Sequence, residues 1–146
     1  PEKTAKTFRI IDGKRCSIPG DWATVDADGT LRLLGRGSVC INTGGEKVFP
    51  EEVEEALKTH AAVRDALVVG VPDDRFVEAI CAVVELVDGE PAPATAELVA
   101  HVKARLAGYK APRHVLIVDT VGRAPNGKAD YPRVRREAAA AVAARA

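Results

Sequence analysis

Gly122, Gly127 and Lys128, in the stretch VGRAPNGKADYP, stand at the spacing G-x-x-x-x-G-K. Those residue types at that spacing can cradle a phosphate, with backbone N–H groups around the anion and the lysine neutralising it. The apolar run HVLIVDTV precedes them, where a phosphate loop needs its strand. Two features argue against that chemistry. Ala129 brings no hydroxyl for a nucleotide-bound Mg2+, and Pro132 blocks the helix whose first amides would face the phosphate. What remains is a lysine on a tight turn, either a cation for some other reacting anion or a solvated surface charge.

Few other groups offer chemistry on their own. Gly44-Gly45, inside VCINTGGEKVFP, would let a narrow ligand approach the backbone closely, although an ordinary hairpin turn would choose the same residues. Cys16, Cys40 and Cys81 are odd in number, far apart and without metal-ligand spacing, so they are expected to be reduced, buried thiols. His60, His101 and His114 have no partner pattern for catalysis or a metal and are expected at or near the surface.

The elements that must position these residues follow from pattern. Residues 7–18 alternate around Asp12-Gly13 as a hairpin, and WATVDADGTLRLLG is a clearer one around Asp26 to Gly29. VCINTGGEKVFP predicts two short strands joined at the glycines. Pro50 opens a helix with Glu51 and Glu52 in its first turn, and Val53, Ala56 and Leu57 on its apolar face. VRDALVVGVP and EAICAVVELV are β-branched strands separated by a polar turn, Pro72 to Arg75. Thr95 is the expected N-cap of a helix through AELVAHVKARLA that Gly108 stops. HVLIVDTV is a further strand, and Pro132 starts a last, alanine-rich helix. The sum is α+β, with a hairpin-rich first quarter and a compact sheet-and-helix unit from about Ser38.

Composition narrows the function classes. The 146 residues carry 21 basic and 21 acidic side chains, which leaves no electrostatic footprint for nucleic acid. No apolar run approaches the roughly 20 residues that span a bilayer. The charged start PEKTAKTFRI has no apolar signal core, so a cytoplasmic protein is expected. The chain has no methionine and opens at a proline, as a piece of a longer protein would.

Five motifs, PGDW, DADGTLRLLGR, NTGGEKVFPEEVEEAL, GYKAPRHV and APNGKADYP, occur in this order. In types and separations they resemble the C-terminal part of an acyl-CoA synthetase of the adenylate-forming, AMP-binding superfamily. The likeness covers residues 5–136. It implies an enzyme that uses ATP and Mg2+ to make an acyl-adenylate from a carboxylic acid, then transfers the acyl group to coenzyme A. It also implies a division at residue 36: residues 1–36 as the last strands of a large N-terminal domain, and 37–146 as a small lid with a short central sheet flanked by helices. The lid's partner would be its own N-terminal domain, and the piece alone would be inactive.

The resemblance assigns roles position by position. Lys128 matches the adenylation lysine, a point cation for charge that builds on the α-phosphate. Asp21 matches the carboxylate that accepts both ribose hydroxyls of the nucleotide, and Arg36 the arginine that reaches ribose and phosphates. Ser38 stands at the hinge, where family members mostly carry Asp or Lys. Gly44-Gly45 match the loop that enters for thioester formation. Tyr109, Lys110 and Arg113 match the segment that meets the CoA nucleotide, with Ala111 where some members have a second basic residue; solvated charges beside a helix end are the alternative there. No residue is assigned to a metal, and Trp22 is expected to pack its hairpin against the large domain. The rival readings are an adenylation module that loads a carrier protein and a non-catalytic domain that keeps the lid fold.

Overall fold

A computed structural model describes residues 2–145, without the side chains of Lys3 and Ser38. The backbone forms two compact units, residues 1–38 and 39–146.

The first unit is built of hairpins. A short helix, α1 (Glu2–Thr7), not anticipated from the sequence, leads into β1 (Phe8–Ile11) and β2 (Lys14–Ser17). Asp12 and Gly13 both have positive φ, 49° and 75°, the geometry whose twist suits a two-residue hairpin. β3 (Asp21–Val25) pairs with β4 (Leu31–Arg36), with a register irregularity between Trp22 and Ala23. Asp28 Oδ1 accepts the Thr30 N–H and fixes the turn. These two-stranded ribbons bury little: Ile10, Val25, Leu31 and Leu33 all stand exposed, the last at 77%. Trp22 is also exposed within this chain.

The second unit is a sheet covered on both faces. It contains β5 (Ile41–Thr43), β6 (Glu46–Val48), α2 (Pro50–Lys58), β7 (Val63–Asp73), β8 (Val77–Leu86), α3 (Thr95–Lys103), β9 (His114–Val118) and α4 (Tyr131–Ala143). β8 pairs antiparallel with β7 along its length, parallel with β9, and with β5 only at Val77↔Thr43. Alternate residues of the long strands enter two cores. Ala66, Val68, Ile80, Ala82 and Val84 pack with Val53 and Leu57 of α2 and Leu98 and Val102 of α3. Leu67, Val69, Val71, Cys81 and Val83 pack with Val134 and Ala138 of α4. That two-sided burial explains why β7 and β8 read as unbroken apolar runs rather than alternating ones.

Five local expectations need correction. The turn expected at Pro72–Arg75 begins later, because β7 runs through Pro72 and Asp73. β7 pairs only with β8, and an edge tolerates a proline with no N–H to give. The N-cap of α3 is Ala94 rather than Thr95, since the Ala94 carbonyl receives the N–H groups of Glu97 and Leu98. α3 ends at Lys103 and Gly108 instead opens a 3-10 turn, Gly108–Lys110. α4 starts at Tyr131, with the Asp130 carboxylate accepting the Arg133 N–H as its cap. Only Cys81 is fully buried, which pushes its thiol up to about 12; Cys16 and Cys40 are half-buried.

Candidate functional site

The second unit places two of the predicted loops on separate roots. The lysine loop closes on itself: the Ala124 N–H donates to the Lys128 carbonyl at 2.9 Å, and the Gly127 N–H to the Ala124 carbonyl at 2.8 Å. Gly127 has φ of 78°, a conformation that side chains disfavour, and the Asn126 carboxamide accepts the Lys128 N–H. The Lys128 side chain is exposed, and its amine has no hydrogen-bond or ion-pair partner among the described residues.

Side chains outside the loop hold both of its ends. Arg123 grips Asp65 of β7 in a bidentate pair, Nε to Oδ2 at 2.6 Å and Nη2 to Oδ1 at 3.0 Å. Burial pushes the Asp65 carboxyl up, but hydrogen bonds from Arg123 and the Ala66 N–H outweigh it and hold the group below its usual range. On the far side, the Tyr131 hydroxyl donates to both oxygens of Glu54 on α2, at 2.9 and 3.2 Å. Arg133 reaches back to the Val121 and Gly122 carbonyls, each at 3.0 Å. Glu54 is buried and also accepts the Val68 N–H. Burial pushes its carboxyl up to about 7, because desolvation outweighs these hydrogen bonds. Burial likewise raises the Tyr131 hydroxyl.

The glycine loop has a different support. Gly44 and Gly45 link β5 to β6 with φ of 58° and 87°. The Gly44 N–H donates to the Phe76 carbonyl at 3.0 Å, and a side chain at 44 would press on the Phe76 ring, its Cβ 3.2 Å from Cδ1. Phe76 closes the β7–β8 corner, where Asp73 Oδ1 accepts the N–H groups of Arg75 and Phe76. The next residue, Val77, is 76% exposed and has φ of 69°, an outlier for a β-branched side chain. The Arg113 guanidinium lies 3.7 Å from the Phe76 ring centroid, and that of Arg75 5.1 Å. Arg113 therefore joins the Gly44 loop through an aromatic ring that the sequence did not single out.

Tyr109 and Lys110 sit on the Gly108–Lys110 turn. Tyr109 is exposed, whereas the Lys110 ammonium pairs with Glu52 of α2 at 2.7 Å, both side chains largely buried. That amine is a structural tie in this conformation rather than a solvated charge.

In the first unit, Asp21 and Arg36 face each other across β3 and β4. Arg36 Nε lies 3.4 Å from Asp21 Oδ1, and both side chains remain exposed. Two residues chosen 15 positions apart in sequence are thus cross-strand neighbours. The backbone of Ser38 lies in a 3-10 turn, Gly37–Val39, where the two units divide.

Two of the three histidines pair in a way the sequence did not suggest. His60 and His101 meet edge to face with centroids 4.9 Å apart, and the Thr59 hydroxyl lies 2.8 Å from His101 Nε2. Burial holds His101 below its ordinary value. No group of three or more His, Cys, Asp or Glu that could hold a metal occurs among the described residues, and no described helix is long and apolar enough to cross a membrane.

Residues 52–128 match the family described as AMP-binding enzyme C-terminal domain. The chain is 60% identical, over 129 residues and 88% of its length, to the 3-oxocholest-4-en-26-oate–CoA ligase of Rhodococcus rhodochrous. It is 58% identical, over 130 residues and 89% of its length, to a medium/long-chain-fatty-acid–CoA/3-oxocholest-4-en-26-oate–CoA ligase of Mycolicibacterium smegmatis. It spans 23% of each of those ligases. Among solved structures, ATP-bound MatB from Rhodopseudomonas palustris superposes with a TM-score of 0.79 at 32% identity, over 95% of this chain and 27% of that one.

Proposed function

Because this chain belongs to the AMP-binding enzyme C-terminal domain family, we propose that it is the lid of an ATP-dependent, AMP-forming acid–thiol ligase. In the first half-reaction a carboxylate attacks the α-phosphorus of ATP, forming the acyl–phosphate bond and releasing pyrophosphate. In the second, the CoA thiol attacks the acyl carbonyl and AMP departs. The names of the similar ligases support a fatty acid or a sterol side-chain acid as the substrate class. Such an enzyme draws ATP and CoA from the cytoplasm, where we place it.

Lys128 is the catalytic residue for adenylation. The reaction brings two anions together and spreads charge over non-bridging oxygens, and a preorganised cation there is worth several kcal/mol in a water-poor site. Support comes from one observation above all: an amine without a partner among the described residues, on a loop whose two ends are clamped by Arg123–Asp65 and Tyr131–Glu54. The long stem supplies reach, and the clamps keep the root from yielding.

Gly44 and Gly45 form the thioester loop, which leaves room beside the backbone for a slender thiol arm. Arg113, and Tyr109 beside it in sequence, face the CoA nucleotide; Lys110 would join them only by leaving Glu52. Asp21 offers two acceptor oxygens to ribose, and Arg36, its cross-strand neighbour, reaches ribose and phosphates. Residues 1–36 are the end of the large domain, 37–146 the lid, and Ser38 the hinge between two lid orientations. Mg2+ would enter with ATP and neutralise its phosphates; no residue of this chain is assigned to it.

The test is pyrophosphate release by the full-length enzyme. Lys128→Ala is expected to slow it by about 10²- to 10³-fold. Release at the unmodified rate would remove Lys128 from catalysis.

A further inference from the structure

Glu78 is a buried carboxylate that the chemistry above does not use. It lies on β8, immediately after the strained Val77. Its two oxygens serve different elements. Oε2 accepts the Asn42 N–H of β5 at 2.8 Å, and Oε1 pairs with Arg135 Nη2 of α4 at 2.7 Å. The room it occupies is set by Gly70 of β7, where a Cβ would lie 2.8 Å from Glu78 Oε1.

Asn42 stands two residues before Gly44, at the root of the glycine loop. β5 meets β8 at a single residue pair, Thr43↔Val77. Beyond that pair the Asn42 N–H takes the Glu78 carboxylate, in place of the backbone carbonyl that a longer ladder would supply. Asn42, Thr43 and Gly44 are therefore held by Glu78, Val77 and Phe76 in antiparallel order. A charge-assisted bond to a part-buried N–H is among the stronger of such contacts.

We propose that Glu78 is a positioning residue for the Gly44-Gly45 loop, and that through Arg135 it joins this loop to the helix that starts three residues after Lys128. The proposal rests on the thioester role given to Gly44-Gly45 above. Glu78 touches no reacting atom in this account. It sets where the loop's backbone stands.

The experiment uses the full-length ligase with Glu78→Ala, Glu78→Asp and Glu78→Gln, reading two quantities. Amide exchange of the segment 41–48 reports the anchoring itself. Separate rates for pyrophosphate release and for thioester formation from supplied acyl-adenylate report its consequence. Glu78→Ala is expected to raise exchange in that segment and slow thioester formation about tenfold, with adenylation within about twofold. Glu78→Asp keeps the charge and the fold but withdraws the acceptor by one methylene, so it should behave like Ala. Glu78→Gln retains an acceptor oxygen for Asn42 but loses the charge and the ion pair with Arg135, so both readouts should recover in part, to between those of the Ala variant and the wild type, which a purely global destabilisation would not produce. Unchanged exchange in both Ala and Asp variants overturns the anchoring. Raised exchange with equal loss of both half-reactions overturns instead the selective role of the loop, and with it the division of labour proposed above.

Discussion

The lysine loop and the glycine loop belong to one unit yet are built on opposite principles. Residues 124–128 present the long side chain of Lys128, and side chains fasten their root: Arg123 to Asp65, Tyr131 to Glu54, Arg133 to Val121 and Gly122. Residues 43–46 offer no side chain at their tip, and the Phe76–Glu78 corner holds that loop largely through the backbone. The contrast suits the roles proposed for them: a charge delivered to a phosphoryl centre needs reach from a firm base, and a thiol arm needs vacancy that the main chain can frame.

Substitutions can break this contrast or sharpen it. After Lys128→Ala, the largest effect is expected from Gly44→Val, which adds a Cβ against Phe76 and forces a β-branched residue into the left-handed region. Strain of about 1–3 kcal/mol should slow thioester formation by about 10- to 100-fold. Pyrophosphate release should keep its rate, and an equal loss in both assays would erase the distinction between the loops.

Glu54→Gln probes the lysine root through pH. The Glu54 carboxyl titrates near 7 in the folded protein against an ordinary value of 4.5, so between those values the native state binds the proton that the unfolded chain releases. Stability therefore falls as pH rises through that window, by on the order of 3 kcal/mol from this group. Glutamine still accepts from Tyr131 and Val68 but cannot ionise. Denaturant midpoints at pH 5 and pH 8 should differ less for the variant than for the wild type, and an unaltered slope would refute the buried charge.

Val77→Gly should give the smallest change, a gain of about 1 kcal/mol. Relief of the positive φ outweighs the entropy of a new glycine, and the exposed side chain gives up little burial. A lower denaturant midpoint would mean that the corner under the glycine loop is not strained.

Local chemistry was legible where one short stretch determined it. Asp12-Gly13 announces its turn, Gly44-Gly45 its hairpin, and the continuous apolar runs of β7 and β8 their two-sided burial. Asp21 and Arg36 are marked by separate motifs, and β3 and β4 bring them together. Illegible were contacts between distant positions: Glu54 meets Tyr131 77 residues on, and Glu78 meets Asn42 36 residues back. No spacing rule links such pairs, because the first joins helices α2 and α4 and the second joins strands β5 and β8, and only the tertiary fold makes them neighbours. Phe76 and Val77 escaped for another reason. A valine in the left-handed region runs against steric preference, and the polar residues before it carry the stronger turn signal.

The central claim is that the two loops serve separate half-reactions, and acetyl-lysine installed at position 128 of the full-length enzyme tests it most directly. The modification removes the charge and leaves the glycine loop untouched. Adenylation should stop, while thioester formation from supplied acyl-adenylate continues at the unmodified rate. Parallel loss of both reactions would contradict the account.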